Sequence, residues 1–164
     1  MQLLPFTTVH AATVAGWPAS AEEAVMWCGA KEFPVDERTV AGWAQAEDVT
    51  ARMLLEGERI VAYGELWFDA EEDEVELARI IVAPWARGTG LGRLLVAGLL
   101  KEARAAGHTD VFMRVHPANE RALACYRAAG FVPVDRESAA LWNVGQPVDY
   151  AWLRPGRDPE GDGR

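Results

Sequence analysis

The chain has 164 residues, half of them hydrophobic, with a net charge of −9; that length can bury one proper core and reads as a single domain. Surplus acid excludes a nucleic-acid backbone as partner, since that contact depends on Lys and Arg neutralising phosphates, and it weakly favours a cationic partner through steering. No run approaches the roughly 18 apolar residues of a membrane span, and the N-terminus lacks a basic segment followed by an apolar one, so a cytoplasmic protein with no membrane partner is expected, its Cys28 and Cys125 reduced.

Residues 3–9 read as a first strand, with Pro5 tolerable at a sheet edge. Two helices are predicted next, over about 20–29 and 35–46. Ser20 is a good N-cap with Glu22 and Glu23 in the first turn and Gly29 as a stop, and Pro34 with Asp36 and Glu37 opens the second. Trp17, Trp27 and Trp43 fall here; they could line an acceptor pocket, although large aromatics at helical spacing are more often core. Residues 52–55 and 60–68 form a hairpin around Glu56-Gly57-Glu58, and an acidic turn at 69–74 leads into a strand over 75–82. That strand is apolar in both alternating sets, with Leu77 and Ile81 on one face and Ala78, Ile80 and Val82 on the other, as suits a central strand covered on both sides.

Pro84 should end the pairing, and Gly88, Gly90 and Gly92 then open a helix marked by Leu91, Leu94, Leu95, Leu99 and Leu100. A helix N-terminus presents unpaired N–H groups and the positive end of a dipole, and Arg87 adds a full charge, so the loop suits a phosphate. No Lys follows the glycines, as a Walker loop requires. The G-x-G-x-G spacing and late position do not match the dinucleotide fingerprint, and Asp110 precedes the next strand instead of ending it.

The helix ends at Ala106-Gly107, and residues 111–116 form a strand parallel to 75–82 because a helix connects them. Residues 119–129 form a short helix closed by Gly130, on which Asn119 and Tyr126, two turns apart, share a face with small Ala122 between them. Asn119 could equally cap that helix. Residues 132–134 and 148–153 make a last strand pair with Trp142 on the connection, giving a domain over 1–153 and a Pro- and Gly-rich tail over 154–164 with little to order it.

The run Arg87-x-x-Gly90-x-Gly92 after Arg79-Ile80-Ile81-Val82-Ala83-Pro84, together with Asn119-x6-Tyr126 and Ala128-Ala129-Gly130-Phe131, resembles the GNAT superfamily of N-acetyltransferases. The resemblance implies an α/β fold with a mixed, mostly antiparallel sheet of six or seven strands flanked by helices on both faces, and coenzyme A in a V-shaped gap beside the 75–82 strand. It implies acetyl-CoA as cosubstrate and no metal. Its pyrophosphate would lie on the loop Arg87, Gly88, Thr89, Gly90, Leu91 and Gly92, its pantetheine arm on Asn119, and its carbonyl oxygen on the N–H of Val82. Tyr126 would be the general acid, and Glu76 the base.

Elementary chemistry asks for the same residue types. A lysine-like amine has a pKa near 10.4, so holding it neutral at pH 7 costs about 4.6 kcal/mol, and a base that removes its proton is worth having. Glu76 is the first candidate, expected on the same strand face as Ala78, Ile80 and Val82; Glu74 and His116 are reserves. Tyr126, with an ordinary pKa near 10, carries the proton that the departing thiolate needs. Cys125 sits about 100° around the helix from Tyr126 and is set aside as a nucleophile. The expected activity is acetyl transfer to a primary amine by direct attack, with a small cationic acceptor favoured, a peptide amine open and a homodimer open. A non-catalytic acyl-CoA-binding module on the same fold is the rival, and a nucleotide-binding protein a third reading.

Overall fold

The computed structural model describes residues 1–157. Seven strands, β1 (Leu3–Pro5), β2 (Val49–Glu56), β3 (Arg59–Asp69), β4 (Glu74–Val82), β5 (Asp110–Val115), β6 (Phe131–Pro133) and β7 (Ala151–Pro155), form one sheet. Their order is β1-β2-β3-β4-β5-β7-β6. Only β4 and β5 run parallel, across a helical crossover; every other pair is antiparallel. This is the mixed, mostly antiparallel sheet expected of the chain.

Helices cover both faces. On one lie α4 (Leu91–Ala105) and α5 (Glu120–Ala128), with Leu95, Val96 and Leu99 of α4 packed on Leu66, Val75 and Leu77. The approach is close: a Cβ on Gly64 of β3 would fall 3.0 Å from Leu99 and 3.3 Å from both Leu95 and Ile80. On the other face α1 (Ala11–Ala15), α2 (Ala21–Cys28) and α3 (Glu37–Trp43) bring Val14, Trp27 and Val40 onto Met53, Tyr63 and Ile81. The start signals of α2 and α3 act as expected: Ser20 Oγ accepts the Glu23 N–H at 3.1 Å and Asp36 Oδ1 accepts the Arg38 N–H at 2.8 Å. Gly29 closes α2 at φ 65°.

Some boundaries differ from expectation. The first strand stops at Pro5, and a 3-10 turn at Thr8–His10 leads into α1 where a strand to residue 9 was expected. A sixth helix, α6 (Arg136–Trp142), fills the connection that carries Trp142, with the Asp135 side chain accepting the Ser138 N–H at 2.9 Å. Strand β7 runs on to Pro155, opposite Phe131, two residues past the expected end of the domain. Residues 158–164, the rest of the expected tail, lie outside the described residues.

The feature that shapes the centre is a bulge in β4. Glu65 of β3 pairs with Ala78, but Tyr63 pairs with Ile81, so two steps on β3 meet three on β4, and Arg79 takes φ 46° to absorb the extra residue. Alternation therefore inverts across Arg79. Ile80 and Val82 join Val75 and Leu77 on the α4 face, while Glu76 and Ala78 look with Ile81 toward the opposite layer. This corrects the expected grouping of Ala78 with Ile80 and Val82, and the expected sharing of a face by Glu76 and Val82. Beyond Glu76, β4 has no partner on its β5 side: the parallel register ends at Glu76 opposite Phe112, and β5 continues from Met113 against β7. The two strands splay, leaving a wedge-shaped gap.

Candidate active site

Two cavities flank the bulge. The larger, about 660 Å³, opens where the exposed edge of β4 meets the first turns of α4 and α5. The smaller, about 190 Å³, lies on the other side of the gap near Glu76. Met26 and Trp27 of α2 line both.

The glycine loop forms one end of the larger cavity, and its glycines serve different needs. Gly88 (φ 79°) and Gly90 (φ 86°) hold left-handed backbone in open space. Gly92 lies within the helix, where a Cβ would meet Cys125 Sγ at 2.9 Å. No side chain caps α4, so the N–H groups of its first turn are free to hold an anion. Leu91 lines the cavity with the glycines, whereas the Thr89 hydroxyl donates to the Ala86 carbonyl and lines neither cavity. Arg87 is less free than its position suggested. Its Nε donates to the Val82 carbonyl at 3.1 Å and its Nη2 pairs with Glu23 of α2. Arg93 and Arg121, which the sequence reading missed, line the same cavity and make no ion pair among the described residues.

Val82, Asn119 and Tyr126 also line the larger cavity. The Ala83 N–H bonds to the Val61 carbonyl, so by strand alternation the N–H of Val82 points to the open side of the gap. Asn119 is the N-cap of α5: its Oδ1 accepts the Ala122 N–H at 3.2 Å, which leaves the side-chain amide hydrogens to spare. Tyr126 is 7% exposed and its hydroxyl bonds to no described residue. Burial, and secondarily the neighbouring Cys125, push its phenol well above the ordinary range, so it holds its proton at any working pH.

The smaller cavity holds Glu76, which is 8% exposed and gripped by Arg114 through Nε at 2.6 Å and Nη2 at 3.1 Å. Each carboxylate oxygen keeps a second lone pair. Arg114 also donates to Gln146 Oε1 at 3.3 Å, and Tyr150 lines the same cavity. Asn143 fixes this C-terminal loop by accepting from the Tyr150 N–H at 3.1 Å and Trp152 Nε1 at 2.8 Å. His116 lies here too, its Nδ1 accepting the Ala118 N–H at 3.1 Å, so the neutral ring carries its proton on Nε2 and offers a donor. Glu74 lines neither cavity; burial and the nearby Asp110 raise its carboxyl above the usual range.

The bulge itself is clamped. Glu65 is fully buried and accepts from the Tyr63 hydroxyl at 2.7 Å, Trp67 Nε1 at 2.7 Å and Arg79 Nη1 at 3.1 Å. The Arg79 guanidinium lies over Trp43 and Trp67 at 4.0 and 4.7 Å, and its carbonyl accepts from Trp27 Nε1 at 2.9 Å. None of this was visible in the sequence except as a charged pair fourteen residues apart.

The model of the acetyltransferase (GNAT) family matches residues 16–131. The chain is 31% identical over 102 residues to the [ribosomal protein bS18]-alanine N-acetyltransferase of Salmonella typhimurium, covering 62% of this chain and 67% of that protein. It is 35% identical over 72 residues to an IAA acetyltransferase of Azospirillum brasilense, 44% of this chain and 47% of the relative, so it spans about half the length of that protein. Among solved structures, the ribosomal-protein-S18-alanine N-acetyltransferase of Escherichia coli superposes with a TM-score of 0.60 at 25% identity, over 82% of this chain and 79% of that one. The aminoglycoside acetyltransferase AAC(6')-Ib in complex with ribostamycin and coenzyme A gives 0.75 over 99% and 98% of the two chains; at 19% identity that likeness is one of fold.

Proposed function

The chain belongs to the GNAT acetyltransferase family and is an acyltransferase, and from that premise we propose that it moves an acetyl group from acetyl-CoA to a primary amine by direct attack in a ternary complex. The observation that carries this reading is the pair of cavities on either side of the β4 gap, one holding an uncapped glycine loop and a protonated phenol, the other a buried carboxylate.

Acetyl-CoA, when bound, supplies an activated thioester carbonyl. Around it this chain would act as follows. The first-turn N–H groups of α4, with Arg93 and Arg121, hold the phosphates, and the spare amide hydrogens of Asn119 orient the arm behind them. The Val82 N–H faces the gap and donates to oxygen where charge develops. Glu76 takes the amine proton, directly or through water, held in place by Arg114. Tyr126 gives its proton to the leaving sulfur as the C–S bond breaks and the C–N bond forms. The acceptor would be a small amine that arrives with its nitrogen protonated, which the net charge of −9 favours through steering.

The test follows thiol release from acetyl-CoA over an amine panel for the parent, Tyr126→Phe and Glu76→Gln. Tyr126→Phe should lower kcat by about 10²–10⁴ with little change in KM for acetyl-CoA. Glu76→Gln should lose activity steeply at neutral pH and recover part of it at alkaline pH, where the amine deprotonates unaided. Full kcat in Tyr126→Phe removes the general acid. Binding of acetyl-CoA without turnover on any amine removes the catalytic reading.

A further inference from the structure

The smaller cavity has a chemical bias of its own. Two guanidinium groups, Arg79 and Arg114, and one carboxylate, Glu76, line it, with Glu65 buried behind Arg79, and the hydrogen-bonding capacity of these groups is spent unequally. Glu65 accepts from Tyr63, Trp67 and Arg79, whereas each oxygen of Glu76 accepts once, from Arg114, and keeps one lone pair for an incoming amine. The donors are less committed. Arg114 has five N–H bonds and uses three, on Glu76 and Gln146, and Arg79 engages only Nη1 with its carboxylate. His116 Nε2–H and the Tyr150 hydroxyl bond to no described residue.

The aromatic surfaces point the same way. A polycation would seek the faces of Trp67 and Tyr150, which line the cavity, yet guanidinium carbons already lie over these and over Trp43 and Trp152 beside them. Arg79 sits 4.0 Å from Trp43 and 4.7 Å from Trp67, and Arg114 sits 5.6 Å from Tyr150 and 5.2 Å from Trp152. A second cation would meet like charge on both sides.

We propose that the acceptor is a small primary amine bearing a carboxylate close to its nitrogen, an amino-acid-like zwitterion, with the amine toward Glu76 and the carboxylate on the unspent N–H groups of Arg114, Arg79 and His116. This rests on the acetyl-transfer reading above and narrows its acceptor. A volume of about 190 Å³ suits such a molecule and is small for an aminoglycoside. Planar, forked donors beside a carboxylate are the arrangement at which guanidinium groups discriminate best.

The experiment measures thiol release from acetyl-CoA by the full chain with small α-amino acids, their carboxamides, a linear diamine, an aminoglycoside and a short peptide with a free N-terminus. Carboxamides have the less basic, more readily neutral amine, so chemistry alone would favour them. The expected result is a kcat/KM for the best amino acid at least about tenfold above that of its amide, as one lost charge-assisted contact predicts. Arg114→Lys should reduce that ratio severalfold and leave KM for acetyl-CoA unchanged. Because the substitution also disturbs Glu76, kcat falls for acid and amide alike, and only the ratio reads the carboxylate. Preference for the amide, diamine, aminoglycoside or peptide overturns the proposal while acetyl transfer stands. Acetyl-CoA binding with no turnover on any amine overturns both.

Discussion

Tyr126, the proposed general acid, also bears on stability. Its buried phenol binds a proton more tightly in the folded chain than in the unfolded one, where the pKa is about 10. The stabilisation is fully present below that value and is lost as pH rises toward the raised folded value. Unfolding free energy should therefore fall above about pH 10 by up to about 1.4 kcal/mol per pH unit for each such group. Tyr63 is raised in the same direction by burial and by Glu65, and the Cys28 and Cys125 thiols by burial, so Tyr126→Phe should remove one of several contributions to the slope. Urea unfolding at several pH values between about 9 and 11 measures it, and an unchanged slope would show that the phenol is not buried as described. Residues of this kind were legible because they lie in short motifs: the glycines, Asn119 and Tyr126 are each set by near neighbours. Arg114, Gln146 and Tyr150 were not, because what they do depends on the β5–β7 pairing and on a loop thirty residues further along.

At the scale of elements, the hairpin, β4, α4 and α5 could be read from periodicity and caps, and α6 could not, since its only signal is Asp135 before a short mixed run. The bulge was hidden for a more specific reason. Residues 75–82 are apolar in both alternating sets, so inserting one residue leaves an equally plausible pattern, and Arg79 is not a glycine that would announce positive φ. What selects the bulge is the buried Glu65 on the neighbouring strand, which fixes the Arg79 side chain between Trp43 and Trp67. Removing the carboxylate strands a half-buried guanidinium, and Glu65→Ala should cost about 3–5 kcal/mol. It should also move Glu76 relative to Val82, so activity measured well below the melting temperature should fall beyond what lost folded protein accounts for. A variant as stable and active as the parent would mean that the bulge holds without its clamp.

For the whole molecule, long-range and short-range electrostatics oppose each other. A net charge of −9 would repel the proposed polyanionic cosubstrate at a distance, while Arg93, Arg121 and the first-turn amides of α4 would attract it within a few ångströms. Raising ionic strength from about 0.01 to 0.15 M shortens the screening length from about 30 to about 8 Å, which quenches the first effect more than the second. The association rate of acetyl-CoA, followed by stopped-flow quenching of tryptophan fluorescence, should therefore rise over that range. A fall would mean that the basic edge of the cavity outweighs the acidic bulk.

Should the phosphates of the proposed cosubstrate also reach Arg87, which lines the same cavity, they would displace Glu23 and exchange one anion for another. Glu23 belongs to α2, whose Met26 and Trp27 form the wall common to both cavities, so releasing it would loosen the partition between them. The two proposed ligands would then be thermodynamically linked, each altering the other's affinity by the same factor. In Glu23→Gln that exchange has already been made. Its Kd for acetyl-CoA should drop severalfold, and the affinity of the acceptor should no longer depend on whether the larger cavity is filled, both readable by calorimetric titration in either order of addition.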